Sequence, residues 1–535
     1  MCGLTNPVEA LGGPRTTVPD LIRACVTATP DAPFLRWGRQ RWTYAEAGME
    51  IGRFAGWAAG TPYAGDAPRR IASYLPNGPE ALWAWLGTSM SGAVYVPLNR
   101  EHRGALLEDM LARSRADILV TDPVALGSLP DLRATSVRTV LVAGEATAPE
   151  LPGGVRCAGW SEVVAAPPVD DAAPVPGDIA QVMYTSGTTG RSKAVLLTHN
   201  QLCRGAGWLA WSLAMGPDDV IHAWLPLFHL AGQVDAALAL LVAGGEIALY
   251  PTFSRSRFWS QVDESRATLF IGFSNVLQML WDMPERPHDR ASSLRAGIIG
   301  GIPASFHRAF EARFGLRLHD TYGMTECEPL ALPRPGVTYP VGSIGHEAPD
   351  MELAILDEHD ARLPPGEVGE IACRSRVPDV MTPGYEGDEA ATLAAFRNQW
   401  FHTGDLGRID EDGVVTFVDR KGHMIRHRGE NISSWELEHL IAKHPDVGEC
   451  CAMAVPSPLG EDDVKVVVSP ANGRTIDPAS LHAWCQEHMA RFMVPRLIEV
   501  VSELPRMQTG KVARMALQRA GADTWEAERA RVKGG

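Results

Sequence analysis

Short apolar runs alternate with helix-patterned stretches along most of this 535-residue chain, and that alternation limits the fold more than any other feature. Arg70–Leu75, Val94–Leu98, Ile118–Thr121 and Thr139–Val142 each read as a strand, and Glu80–Met90 reads as a buried helix. Runs that are apolar on both faces suit parallel strands covered by helices. A second set of this kind runs from about Ile179 to Phe314, after a Pro-, Ala- and Asp-rich loop at 165–178. From Gly342 the texture turns to β-type, with Glu352–Leu356, Gly369–Cys373 and Val414–Val418. After Arg420 comes a small α/β tail with strands at Cys450–Val455 and Val464–Ser469. The expected fold class is α/β, with a boundary near Asp419 that separates residues 1–418 from residues 419–535.

Composition excludes several classes. With 45% apolar and 21% charged residues the chain is globular, not disordered, collagen-like or coiled-coil. A net charge of −15 and no Lys/Arg block argue against a nucleic-acid partner. The nine cysteines are scattered, with no Cys-x-x-Cys, so reduced thiols in a cytoplasmic setting are expected rather than disulfides or zinc. Met1–Pro14 has no positive charge and no long apolar stretch, so no signal peptide is expected. The longest apolar run, Ala236–Ala243, is too short to span a bilayer.

One segment carries chemistry on its face. Tyr184-Thr185-Ser186-Gly187-Thr188-Thr189-Gly190-Arg191-Ser192-Lys193 follows the apolar Ile179–Met183. Glycines let backbone amides turn toward a phosphate, hydroxyls add donors and Lys193 adds charge. The spacing is not that of a Walker A loop, which disfavours a P-loop kinase.

This loop resembles the phosphate-binding motif of the adenylate-forming superfamily, which holds acyl-CoA synthetases, luciferase-like enzymes and peptide-synthetase adenylation domains. Further motifs follow in that family's order. They are Tyr322-Gly323-Met324-Thr325-Glu326, Trp400-Phe401-His402-Thr403-Gly404-Asp405, Asp419-Arg420-Lys421, Arg428-Gly429-Glu430-Asn431 and Pro505–Lys511. The stretch from Asp419 to Lys511 looks most like the crotonobetaine/carnitine-type CoA ligases, and the chain also resembles 4-coumarate-type ligases. The resemblance implies a large N-terminal domain of two helix-covered sheets plus a small β-barrel-like subdomain. It also implies a small mobile α+β C-terminal domain that swivels at Asp419 and carries a catalytic lysine.

The reaction so implied has two steps: a carboxylate attacks the α-phosphate of ATP, releasing pyrophosphate, and a thiol then displaces AMP. By resemblance Thr185, Ser186, Gly187, Thr188, Thr189 and Lys193 cradle the distal phosphates. Thr325 meets the α-phosphate, and Glu326 holds Mg²⁺, which suits a hard carboxylate. Tyr322 stacks on adenine, Asp320 accepts from its amino group, and Gly300 and Gly301 leave room beside it. Asp405 accepts the ribose hydroxyls, as an acceptor-only group should. Arg420 helps fix ribose or phosphate, and Arg426 substitutes for a lysine that many plant-type ligases carry where this chain has Gly422. Lys511 bridges the substrate carboxylate and the α-phosphate.

The acid pocket is implied in the same way. Leu225–Gln233 resembles the motif that opens it, with His229 as the gate and Ala231 leaving space. Phe273, Asn275, Gly323 and the stretch after Cys327 line the rest. Asp235 is an oddity inside an apolar helix, and a buried carboxylate needs a partner. That partner is either a substrate amine, quaternary ammonium or hydroxyl, or an ordinary salt bridge or exposed turn.

The leading expectation is an AMP-forming acid–CoA ligase using ATP, Mg²⁺ and CoA on a small carboxylic acid, as a monomer or homodimer. The alternative is an adenylating enzyme with another acceptor: a carrier-protein thiol supplied in trans, an amine, or nitrite in a diazotase. A silent nucleotide-binding paralogue is disfavoured because Thr325, Glu326, Asp405 and Lys511 are all present.

Overall fold

The computed structural model describes residues 16–527 apart from 64, 145–150, 186–191, 288, 303, 305, 422–424, 428–429, 433, 457–461, 490–492, 508–511, 519–520 and 522. The chain divides into two compact units. The larger holds Met1–Ile302, Phe306–Glu352 and Arg374–Gln399, and the smaller holds Pro303–Ser305, Leu353–Cys373 and Trp400–Gly535.

The larger unit is built on two seven-stranded sheets. One runs in the order Arg317–Asp320, Ala296–Gly300, Leu269–Phe273, Val220–Ala223, Glu246–Leu249, Pro33–Trp37, Gln40–Thr43. The other runs Arg156–Gly159, Thr139–Val142, Ile118–Thr121, Arg70–Tyr74, Val94–Pro97, Ile179–Thr185, Lys193–Thr198. In each, the neighbouring strands are parallel except at the last pair, which closes as an antiparallel hairpin. The central strands Ile118–Thr121 and Thr139–Val142 are buried at every position, as strands covered on both faces must be. Pro79–Met90 is a helix buried along nearly its whole length, and Tyr44–Gly60 starts at a capping box between Thr43 and Glu46.

Two local features position the site. Tyr322–Met324 and Cys327–Leu332 form an antiparallel hairpin in which Met324 faces Cys327, so Thr325 and Glu326 are its two-residue turn. The expected helix around Asp235 is a π-helix over Ala231–Leu238 that continues as an α-helix over Ala239–Ala243. Gly232 is needed at its start, because a Cβ there would lie 2.4 Å from the Pro226 carbonyl oxygen. π-segments of this kind concentrate at functional sites.

The smaller unit has an antiparallel ladder in which Gly369–Ser375 pairs with Trp400–Ile409, which pairs with Val415–Arg420. Its other sheet runs Val447–Pro456, Asp462–Pro470, Leu497–Val500, Trp525–Glu526. Helices Ser434–Ile441 and Pro478–His488 pack on it through Leu437, Ile441, Leu481 and Cys485. Among the described residues no helix is long and apolar enough to cross a membrane.

In the larger unit Asp350 accepts from the Arg204 guanidinium on helix His199–Ser212 and, at 2.6 Å, from the Trp208 indole N–H. Arg204 is 5% exposed and Asp350 is 6% exposed. Removing one partner of such a pair strands a buried charge. Asp350→Ala is therefore expected to lower the unfolding free energy by about 3–5 kcal/mol, read as a fall in the denaturant midpoint.

Candidate active site

The predicted phosphate loop opens from an antiparallel strand pair in which Thr185 lies opposite Lys193. Ser186, Gly187, Thr188 and Thr189 lie outside the described residues, so the flanks alone are placed. The Lys193 ammonium stands 4.3 Å from the centre of the Tyr385 ring. The Tyr385 hydroxyl donates to Glu326 Oε1 at 2.8 Å. Burial, and then the Glu326 carboxylate, push the Tyr385 phenol up, so it stays a donor.

The Thr325-Glu326 turn is pinned from two sides. The Gln201 amide donates to the carbonyls of Thr325 (3.0 Å) and Glu326 (3.2 Å), and the Thr382 N–H donates to the Glu326 carbonyl at 2.7 Å. Glu326 is 6% exposed and makes no ion pair among the described residues. One carboxylate oxygen thus takes the tyrosine proton, leaving hard-donor capacity of the kind Mg²⁺ binds when phosphates and water complete its shell.

Asp320 ends the strand Arg317–Asp320, next to Ala296–Gly300. Its two oxygens accept from the backbone N–H groups of Gly301 and Ile302, each at 3.1 Å. Gly301 has φ +78°, which makes that turn possible. Burial raises the Asp320 carboxyl to about 6, although the two amides pull against it. Tyr322 is buried at the start of the hairpin, two residues on. Phe273 pairs with Gly300 across the parallel ladder, and a Cβ on Gly300 would sit 3.1 Å from the Phe273 ring. Asn275 lies in helix Ser274–Trp281; its side chain is outside the described set.

The segment carrying His229 is held by neutral amides. Asn77 donates to the carbonyls of Trp224 and Leu225 and accepts from Leu227 N–H at 2.9 Å. Gln233 donates to the Leu227 carbonyl at 2.7 Å and accepts from the Gln181 amide at 2.8 Å. His229 and Ala231 are half-buried, and the Phe228 and His229 rings lie 4.7 Å apart.

Asp235 has neither the salt bridge nor the exposed turn that would make it ordinary: it is half-buried and has no hydrogen bond or ion pair among the described residues. A second carboxylate, Glu328, is near enough for the two charges to interact. Burial raises both carboxyls, and the charge of Asp235 raises Glu328 further. The Glu328 carboxyl lies against the backbone of Gly323, where a Cβ would come within 2.5 Å of it. A side chain at Gly323 would therefore displace the Glu328 carboxyl.

In the smaller unit Asp405, Asp419 and Arg420 come together. Asp405 pairs with Arg420 and Leu406 with Asp419 across the ladder, and the Arg420 guanidinium is 3.5 Å from the Asp405 carboxylate. Asp419 is 3% exposed; it accepts from Arg420 N–H at 2.7 Å and from Trp435 N–H at 3.3 Å. Arg426 lies in the strand Ile425–His427, with its side chain outside the described set, and Lys511 lies outside the described residues.

Sequence reasoning misses Tyr385, Asn77 and Gln201, and reaches Glu328 merely as part of the stretch after Cys327. Asn77 has a signal, since Pro76-Asn77-Gly78-Pro79 marks a tight turn whose side chain is free to cap a neighbouring loop.

A strand pair opening onto a Ser/Thr/Gly-rich loop, with a carboxylate-tipped hairpin beside it, defines a nucleoside-triphosphate-binding enzyme as a class. The chain matches the AMP-binding enzyme model over residues 22–386 and the AMP-binding enzyme C-terminal domain model over residues 436–511. It belongs to the AMP-binding enzyme family. It is 32% identical over 459 residues to a crotonobetaine/carnitine–CoA ligase of Salmonella typhi, covering 84% of this chain and 88% of that one. ATP-bound MatB from Rhodopseudomonas palustris superposes with a TM-score of 0.82 at 26% identity, covering 94% of this chain and 98% of that one. The amide bond synthetase McbA from Marinactinospora thermotolerans gives 0.79 at 25% identity, covering 94% and 99%.

The Asp320 carboxyl gains its proton as the pH falls through about 6, and, on the expectation that Asp320 accepts from the adenine amino group, a protonated carboxyl no longer offers that oxygen to it. The KM for ATP is expected to rise below about pH 6, by up to about tenfold per unit. In Asp320→Asn that limb should vanish relative to wild type in parallel titrations, which corrects for the titration of ATP itself.

Proposed function

We propose that this protein is an AMP-forming acid–CoA ligase: it joins a small carboxylic acid to AMP with release of pyrophosphate, then passes the acyl group to the thiol of CoA. The observation that supports it most is the Glu326–Tyr385–Lys193 arrangement at the mouth of the phosphate loop. It brings a carboxylate and a cation onto one tyrosine at the place where, in this reading, pyrophosphate departs. In this reading Glu326 binds Mg²⁺, which supplies charge neutralisation on the phosphates. Thr325 orients the α-phosphate, and Thr185, Ser186, Gly187, Thr188, Thr189 and Lys193 hold the leaving group. Tyr322 and Asp320 take the adenine between them, and Gly300 and Gly301 leave it room. Asp405 takes the ribose, with Arg420 beside it.

The two catalytic conformations are assigned to residues 1–418 and 419–535 turning about Asp419. Its bonds to Arg420 and Trp435 hold one conformation and must be exchanged in the other. Lys511 serves the first step, with Arg426 as a charged contact to the carboxylate or phosphate; the Arg428–Glu430 turn serves the second. The protein is assigned to the cytoplasm, as a monomer or homodimer.

The pair Asp235–Glu328 bears on which acid is used. Two carboxylates whose charges interact, both raised by burial and neither in an ion pair among the described residues, are unfavourable as a doubly ionised pair unless one is protonated or a cation joins them. An acid carrying an amino or ammonium group, entering past His229 and lying along Ala231, Phe273, Asn275 and Gly323, meets that need. A second acyl acceptor is favoured by one observation, the likeness to an amide bond synthetase, and would make the acceptor an amine. A carrier-protein thiol or nitrite would serve in the same position.

Mass spectrometry of reactions with ATP, Mg²⁺ and a panel of amino-bearing acids and their neutral isosteres, with and without CoA, tests both points. Acyl-CoA is expected, with a preference of about tenfold or more for amino-bearing acids that falls severalfold in Asp235→Asn. Adenylate or AMP formation that ignores CoA would replace the ligase reading, and an unchanged preference in Asp235→Asn would dismiss the pocket reading. Lys511→Ala is expected to cut acyl-adenylate formation by about 10³-fold or more while CoA still reacts with supplied acyl-adenylate. Equal loss in both half-reactions would remove Lys511 from its assigned role.

A further inference from the structure

Asp405 does not sit in a regular strand. Across the ladder Ala372 faces His402 and Glu370 faces Leu406, so Thr403, Gly404 and Asp405 bulge opposite Ile371. Bulges re-aim side chains out of a ladder, and here the re-aimed residue is Asp405. The bulge is held from below. Thr403 Oγ donates to the Ile371 carbonyl at 2.6 Å and accepts from Asp405 N–H at 3.1 Å. Gly404, at φ +73°, donates its N–H to Glu370 Oε1 at 3.1 Å.

Glu370 is the centre of this support. It is 6% exposed, its Oε2 lies 3.1 Å from His402 Nδ1, and the same oxygen accepts from Lys421 Nζ at 3.0 Å. Burial works to raise the Glu370 carboxyl, yet the bonds from His402 and Lys421 hold it below the ordinary carboxylate range. Bonds of this kind, with an ionised partner, are the stronger class. Lys421 comes from the other side of the hinge: it lies two residues past Asp419, and it is 54% exposed. It can therefore leave Glu370 without uncovering apolar surface, whereas Glu370 cannot follow it.

We propose that Glu370 is a positioning residue for the nucleotide ribose, acting through the Thr403–Asp405 bulge, and that the Lys421–Glu370 ion pair stiffens that bulge while the hinge is in the described conformation. The proposal rests on the reading of Asp405 as the ribose acceptor. When the torsions at Asp419 change, the chain from Arg420 onward is redirected and the 3.0 Å contact to Glu370 is lost. Glu370 then keeps the Gly404 amide and His402, and the ribose grip loosens at the stage when AMP has to leave. The hinge and the nucleotide are coupled through a bulge, with no need for a contact between Lys421 and ATP.

The test compares ATP with 3′-deoxy-ATP in wild type, Asp405→Asn, Glu370→Gln, Lys421→Met and Lys421→Arg, reading pyrophosphate release in the first half-reaction. Asp405→Asn is expected to abolish discrimination between the two nucleotides. Glu370→Gln should raise the KM for ATP about tenfold with kcat within about threefold, and should cut the discrimination about fivefold. Lys421→Met should do the same about threefold, and Lys421→Arg should restore it. Lys421 is exposed, so its variants report even if Glu370→Gln folds poorly. If Asp405→Asn discriminates like wild type, the ribose reading falls and the proposal falls with it. If Asp405→Asn loses discrimination while Lys421→Met and a folded Glu370→Gln keep it, the proposal alone is overturned.

Discussion

A carboxylate buried on a two-residue turn is the constraint around which this part of the larger unit is arranged. Glu326 is 6% exposed, and an unsupported anion there would be costly. The chain supplies its support from segments far apart in sequence. Gln201 and Thr382 fix the turn's carbonyls, and Tyr385 gives Glu326 a proton to accept. Tyr385 is itself fixed to the strand that follows the phosphate loop, because Leu196 N–H donates to Gly384 and Glu386 N–H donates to Ala194. The turn carrying Glu326 and the strand after the predicted phosphate loop therefore share one set of bonds, and neither can move alone.

The same hairpin carries an opposite solution two residues on. Glu326 is provided with a donor, whereas Glu328 is set against Gly323 and feels the charge of a second carboxylate, Asp235. A sequence selected for stability alone would replace either acid with an amide at little cost in shape. Both carboxyls are raised, so the pair favours a proton or a cation, whereas Glu326 on the same hairpin has its donor from within the protein. The asymmetry lies along one short stretch, Tyr322 to Glu328, so the two ends of the reaction are coupled by backbone geometry.

Much of this is legible in the order of the residues. Ile118–Thr121 and Thr139–Val142 are strands because uninterrupted apolar runs of that length bury both faces, and they are buried at every position. Among the described motif residues, Thr185 and Asp320 end strands and Thr325 and Glu326 form a turn, where side chains can leave the ladder. What stays hidden is what depends on distant partners. Nothing local marks Tyr385 as the partner of Glu326, 59 residues away, or sets Ile179–Thr185 beside Val94–Pro97. The π-helix at Ala231–Leu238 reads as an ordinary helix because its apolar residues satisfy either period over so short a span. Asp235 stands out as odd in the sequence, but its nearness to Glu328 arises from packing: Gly205 of helix His199–Ser212 touches both Val234 and the Glu328 carbonyl.

The choice of polar groups also differs around the site in a way that follows from charge. The segment bearing His229 is held by Asn77, Gln181 and Gln233, all neutral and all nearly inaccessible. Neutral amides fix a loop without setting a field, so an incoming carboxylate is neither trapped nor repelled before it reaches the phosphate. Elsewhere the supports carry charge: Lys193 stands over the neutral Tyr385 ring, and Lys421 on Glu370 and Arg420 beside Asp405 are ion pairs. Ionic supports also exchange readily, because an exposed lysine moves between partners at small cost. They suit a part of the chain expected to turn between two half-reactions, and amides suit the part that has to hold its shape through both.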